Sequence, residues 1–152
     1  MMEVFLPEWA PNLHPLIIHF PIVLLVVAVF TSFVEVILAK EWIYRSRISL
    51  YILGTLSALV TVLTGRQAAD SVSPPFSAEI TMSKHSDMGH YTLYFFLALT
   101  LAQLLVLRYG KSNKILVRIL LFIAGMGGLI LLFQTGDLGA KLVYKYGVGI
   151  NQ

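Results

Sequence analysis

Long apolar stretches alternate with short polar segments along the whole chain. Each stretch holds a long run without Asp, Glu, Lys or Arg. A helix needs about 20 apolar residues to cross the hydrocarbon core of a bilayer, and these runs have that length. The pattern therefore predicts four membrane-spanning helices in a single domain, residues 1–152, with spans over about 15–38, 48–65, 86–107 and 116–136.

Composition supports a lipid environment. The chain is 57% hydrophobic and 12% charged, with a mean hydropathy of +0.80. Soluble domains are about 45–50% apolar and about 25% charged. Secreted mini-proteins, nucleic-acid modules and soluble enzymes are therefore disfavoured, and the bilayer is the first partner. The predicted fold class is an all-α integral membrane protein, a four-transmembrane-helix bundle.

Basic residues near the span ends predict the orientation. The segments after the first and third spans hold seven of them, against four on the other side. The seven are Lys40, Arg45, Arg47, Arg108, Lys111, Lys114 and Arg118. Because such residues accumulate on the cytoplasmic side, both termini are predicted to be periplasmic in a bacterial inner membrane.

The histidines converge at the periplasmic end in this topology. His14 and His19 lie at the start of the first span, and His85 and His90 at the start of the third. Each pair is five residues apart, about 140° past a full helical turn, so one helix cannot aim both at one partner. Gly65 and Gly136, each after a Thr, end the second and fourth spans at the same level.

Two chemistries suit such histidines in a chain without Cys. One is haem b with two imidazole axial ligands from different helices. The other is a Zn or Cu site, with Asp70, Asp87 or Asp137 as further ligands. A structural role, in which the histidines only satisfy local hydrogen bonds, is a third interpretation.

Several other residues give weaker predictions. Glycines in 125–128 either admit a flat macrocycle or allow close helix packing. Glu35 is interpreted as an interfacial carboxylate within reach of Lys40, and Gln103 as an interhelical hydrogen-bond donor. The glycine-rich segment from Gly136 onward is expected to leave the helix and fold back over the histidine-bearing end.

Four motifs resemble the bacterial membrane-protein family called domain of unknown function 2231 (DUF2231). Residues 12–22 contain His-Pro followed by His-Phe-Pro, similar to the opening of that family. The likeness continues through 63–65, through His85 followed by Gly89, and through the tail 138–149. It covers nearly the whole chain, with Ala140 standing where the family pattern has Gly.

The resemblance implies membrane redox chemistry, because relatives occur fused or adjacent to c-type cytochrome domains. It places haem b ahead of a bare metal site. The expected function is a small b-type cytochrome-like subunit of a redox complex, more an electron-transfer or accessory subunit than an enzyme. Quinone and c-type cytochromes are the expected partners, and nucleic acid is not. His19 and His85 are the predicted axial ligands, with His14 and His90 as second choices.

Overall fold

The computed structural model describes residues 12–109 and 114–149. Within those ranges it contains helices and no strands: α1 His14–Ile17, α2 His19–Leu38, α3 Glu41–Asp70, a 3-10 turn Phe76–Ala78, α4 Glu79–Arg108 and α5 Ile115–Tyr144. The runs His14–Leu38, Glu41–Asp70, Phe76–Arg108 and Ile115–Tyr144 are each long and apolar enough to cross a membrane. The four-span, all-α prediction is confirmed.

The first span is interrupted near its start. Pro15 occupies the first turn of α1, and a one-residue break at Ile18 separates α1 from α2. Pro21 has no N–H to give the carbonyl of Ile17, which weakens the helix at this break. The short α1 packs against α3 and thereby carries His14 toward that helix.

The helices exceed the predicted spans because charged residues occupy their ends. Helix α3 begins at Glu41 rather than near 48, so Arg45 and Arg47 are helical. Arg45 donates to Glu41 one turn earlier at 2.5 Å, and both side chains are exposed. The connection between α2 and α3 contains only Ala39, in the left-handed region at φ 50°, and Lys40.

The expectation that the segment after Gly136 leaves the helix is wrong. Helix α5 continues to Tyr144, because a continued helix keeps the backbone groups hydrogen-bonded, and glycine is tolerated in membrane helices. The chain turns only at Gly147, at φ 66°. A hydrogen bond with the Thr81 side chain, helped by Lys145, lowers the pKa of Tyr146 and ties this turn to the start of α4.

Two helical hairpins form the bundle. Helix α2 pairs with α3, and α4 pairs with α5; between hairpins, α2 packs on α5 to the same extent as α3 packs on α4. Helices α2 and α4 therefore lie diagonally across the bundle. The buried core between them consists of Leu25, Ala28, Val29, Tyr51, Phe96, Leu99 and Leu132.

Glycines bring the helices together in this core. A Cβ on Gly125 would stand 2.5 Å from the Tyr51 hydroxyl, and one on Gly128 would stand 2.6 Å from the Phe96 ring. Of the two interpretations of the 125–128 cluster, the structure therefore supports close packing through small residues. The middle of the bundle is filled by side chains, and the unusual polar groups lie toward its two ends.

Candidate functional site

His14 is held against the end of α3 by a threonine. Its Nδ1 lies 3.3 Å from the Thr64 hydroxyl, fifty residues further along the chain. That hydroxyl is also placed to donate its proton to the Thr61 carbonyl at 3.0 Å. With its proton there, the Thr64 oxygen accepts from His14, which corresponds to the Nδ1–H tautomer of the imidazole.

His85 is held in the same way in the second hairpin. Its Nδ1 lies 3.0 Å from the Thr135 carbonyl on α5, again fifty residues away. A carbonyl oxygen only accepts, so this Nδ1 also carries the proton. The Thr135 hydroxyl is engaged elsewhere, at 2.9 Å from the Thr92 hydroxyl on α4.

The two histidines share one environment at the same end of the bundle. Both are partly buried, and His85 lies close enough to His14 to act on it electrostatically. With both Nδ1 protons committed to the protein, each Nε2 presents a lone pair. A ring N–H oriented by a protein acceptor, with the other nitrogen available, is the usual arrangement of a metal-binding histidine.

His19 and His90 are not brought to this pair. His19 is exposed on α2, where its Nδ1 lies 3.3 Å from the Leu16 carbonyl. His90 is half-buried, and its Nδ1–H donates to the Ser86 carbonyl at 2.7 Å. Its Nε2 accepts from Arg66 at 2.9 Å, so both of its nitrogens are engaged. The structure therefore favours His14 with His85, whereas the sequence favours His19 with His85, and the ligand assignment stays a prediction.

Glycines make room for the two imidazoles. A Cβ on Gly65 would stand 3.1 Å from Cε1 of His14, and a Cβ on Gly139 would stand 3.0 Å from Cε1 of His85. Gly136, the glycine predicted from the Thr-Gly pattern, has nothing within 4 Å of that position. Of the two predicted glycines, Gly65 lies beside a histidine, whereas on α5 the glycine in that position is Gly139, three residues after Gly136.

The opposite end of the bundle holds a second polar group. Glu35 is 3% exposed and accepts from the Nε of Arg47, which is 2% exposed. This is not the expected interfacial carboxylate near Lys40, because Glu35 faces the interior of the bundle. Gln103 accepts from Arg47 Nη1, so its predicted interhelical hydrogen bond exists, but with its oxygen as the acceptor.

A constant offset relates the two hairpins. Adding 71 to the number of a residue in 14–70 gives its counterpart in 85–141, without a gap, and eleven of the 57 pairs are identical. The identical pairs include His14/His85, His19/His90, Arg47/Arg118, Gly54/Gly125 and Thr64/Thr135. The two equal His–Thr separations and the matching packing between hairpins follow this relation.

This repeat is the sequence signal that relates the two histidine–threonine contacts. The Thr-Gly echo is visible by inspection, but only the full offset shows that the histidines, threonines and arginines recur together. Exchange of the two hairpins corresponds to a two-fold axis along the bundle. In this relation His14 corresponds to His85 at one end of the bundle, and Arg47 corresponds to Arg118 at the other.

Comparison with known proteins gives one match. The family model described as "Predicted membrane protein (DUF2231)" matches residues 10–152. No curated protein and no solved structure matches the chain. The match covers all five helices, and the chain belongs to the DUF2231 family of predicted membrane proteins.

Proposed function

We propose that the protein is a small b-type cytochrome-like subunit, with His14 and His85 as the axial ligands of one haem b. The observation that carries the proposal is the pair of oriented imidazoles, one from each hairpin, each donating Nδ1–H to the protein. Two histidines on opposite sides of a two-fold axis suit a ligand that needs one nitrogen on each face. A bis-imidazole haem supplies one-electron transfer.

The surroundings of the histidines also support a bulky, flat ligand. Gly65 and Gly139 leave backbone where any larger residue would press on an imidazole. Thr64 and the Thr135 carbonyl hold the rings by their distal nitrogens, which raises the basicity of Nε2 as a ligand. The chain's own contribution to electron transfer is therefore to orient two neutral imidazoles and keep them partly shielded from water.

The runner-up is a Zn or Cu site at the same histidines. Structural zinc takes four protein ligands and catalytic zinc takes three. Within 12–109 and 114–149, no three His, Cys, Asp or Glu side chains converge as a metal-binding group. Two imidazoles complete the axial set of a haem but fill only half of a tetrahedral zinc site, which favours haem.

The proposed setting is the bacterial inner membrane, with the histidine-bearing end facing the periplasm. A haem there would exchange electrons with a quinol in the bilayer or with a c-type cytochrome outside it. The proposed setting within the membrane is a larger redox complex.

The test is a reduced-minus-oxidised spectrum of membranes that contain the wild-type protein or a single-histidine variant. We expect a low-spin haem b band that His14→Ala and His85→Ala abolish. His19→Ala and His90→Ala are matched controls from the same two helices and should retain the band. Variant amounts are equalised by an epitope tag before comparison.

Each of the other outcomes supports a different function or ligand assignment. Loss of the band in His19→Ala but not in His14→Ala would restore the His19–His85 pair. A wild-type protein without haem that binds zinc or copper stoichiometrically would establish the metal site instead. Binding of neither would leave the histidines with a structural or assembly role.

A further inference from the structure

The four long helices each contribute one polar side chain to a cluster at the end opposite the histidines. Glu35 comes from α2, Arg47 from α3, Gln103 from α4 and Arg118 from α5. Glu35, Arg47 and Gln103 are between 1% and 3% exposed, and the Arg118 side chain is 12% exposed. We call this set the arginine cluster.

The arginine cluster carries an excess positive charge. Arg47 Nε donates to one Glu35 oxygen, and Arg118 Nε lies 3.7 Å from the other. Two guanidinium groups therefore share one carboxylate, and the formal charges of these three groups sum to +1. Glu41, the other acidic residue at this end, pairs with Arg45 at the surface. The remaining acidic residues in the described part lie at the histidine-bearing end: Asp70, Glu79, Asp87 and Asp137.

A buried hydrogen-bond donor in the same cluster has no acceptor. The Gln103 oxygen accepts from Arg47, which turns its Nε2 away from that guanidinium. Within the described residues this Nε2 is fully buried and makes no hydrogen bond. Buried polar groups are almost always paired, so an isolated donor indicates an acceptor that the described part of the chain does not supply.

The internal repeat explains how such a cluster arises. Arg47 and Arg118 are counterparts at the offset of 71, whereas the counterpart of Glu35 is Val106. Both arginines face the Glu35 carboxylate. Glu35 supplies this carboxylate from the first hairpin, and the equivalent position of the second hairpin holds an apolar side chain.

We propose that the arginine cluster binds an external oxyanion of the phosphate class. Arg118, the member that reaches the surface, is its point of entry, and the Gln103 amide is the neighbouring donor. Guanidinium groups bind phosphate oxygens through paired, charge-assisted hydrogen bonds. The cluster lies within about two turns of the helix ends, near the depth of lipid headgroups, so the source is an anionic phospholipid or free phosphate.

The test measures ligand retention on the intact protein by native mass spectrometry in a neutral detergent. The probes are dioleoylphosphatidylglycerol, dioleoylphosphatidylcholine and inorganic phosphate. Wild type is compared with Arg118→Gln, which removes the entry charge, and with Gln103→Leu, which at constant charge removes the free donor together with the oxygen that accepts from Arg47. Arg45→Gln removes a charge from the same end outside the cluster and is the matched control.

We expect one phosphatidylglycerol to remain bound to wild type and to Arg45→Gln under conditions that remove phosphatidylcholine. Loss of a charged hydrogen bond should weaken retention about tenfold or more in Arg118→Gln and in Gln103→Leu. Competition by inorganic phosphate would identify a free oxyanion as a sufficient ligand. Without competition, the lipid headgroup is the ligand, and both results support the site.

Three results would overturn the proposal. Equal retention by Arg118→Gln and Arg45→Gln would mean that only the net charge of this end matters. Unchanged retention by Gln103→Leu would leave the buried donor without a role. Equal retention of phosphatidylcholine, with no binding of phosphate, would mean that the acyl chains alone account for retention. None of these outcomes depends on whether the histidines bind haem.

Discussion

Replacement of Glu35 by Gln should be the most destabilising isosteric change at the arginine cluster. It keeps the size of the side chain but leaves Arg47 and Arg118 without their carboxylate. Both members of the Glu35–Arg47 pair are nearly inaccessible, with side chains 4% and 3% exposed. Breaking a buried ion pair on one side costs about 3–5 kcal/mol, more than a hundredfold in the unfolding equilibrium constant.

Glu41→Gln is the matched control. It removes a carboxylate from the same end, but the Glu41–Arg45 side chains are 73% and 76% exposed. An exposed pair of this kind contributes about 0.2–1 kcal/mol. The assay is unfolding by sodium dodecyl sulfate in mixed micelles, followed by circular dichroism. A difference between the two variants below about 1 kcal/mol would refute the reasoning, because the buried pair would then be no stronger than the surface pair.

The internal repeat adds a second arm to this experiment. Val106 is the counterpart of Glu35, so a carboxylate there approaches the two arginines from the other side of the axis. The double variant Glu35→Gln/Val106→Glu should recover most of the stability that Glu35→Gln loses. Further loss in the double variant would show that the two-fold relation does not extend to the arginine cluster.

Three further predictions concern the histidine-bearing end and the orientation. Gly65→Ala and Gly139→Ala should each displace the adjacent imidazole and reduce the haem content per protein. Gly136→Ala, with open space around it, should leave the haem content unchanged and stabilise the helix by about 0.5–1 kcal/mol in the unfolding assay. Thr64→Val should shift the haem spectrum by removing the His14 acceptor, and Thr135→Val should not, since His85 uses the carbonyl there. A cysteine at Ser73 should react with an impermeant thiol reagent in intact cells, and one at Lys40 only after lysis; the chain has no native cysteine to interfere, and the reverse labelling would invert the orientation.

Hydropathy was sufficient to predict the four helices, because spanning a membrane leaves few alternatives for apolar segments of this length. It was insufficient for their ends. Arg47 lies outside the predicted span 48–65, yet it belongs to α3, and both Arg47 and Arg118 face Glu35 in the bundle. Only the packing of four helices shows that one carboxylate lies between them.

The candidate site was likewise predictable from the sequence only in part. The shared level of the four histidines follows from topology, and the sequence places them together at one end. Which histidine turns inward is set by the packing of α1 against α3, which places His14 beside Thr64. His19 lies about 140° further around the helix, so it is on the exposed side although it is the deeper residue beside Pro21.

The differences between the hairpins carry as much information as their identities. If the two hairpins were identical in sequence, each residue would face its own counterpart, with histidine facing histidine at one end of the bundle and arginine facing arginine at the other. At the histidine-bearing end the equivalence persists, because His14 and His85 each contact a threonine fifty residues further along the chain. At the other end Glu35 has no acidic counterpart, and Gln103 stands where the first hairpin has Ser32. Two facing guanidinium groups would repel each other unless an anion lay between them, so that end can retain both arginines only with a carboxylate from one hairpin or an oxyanion from outside.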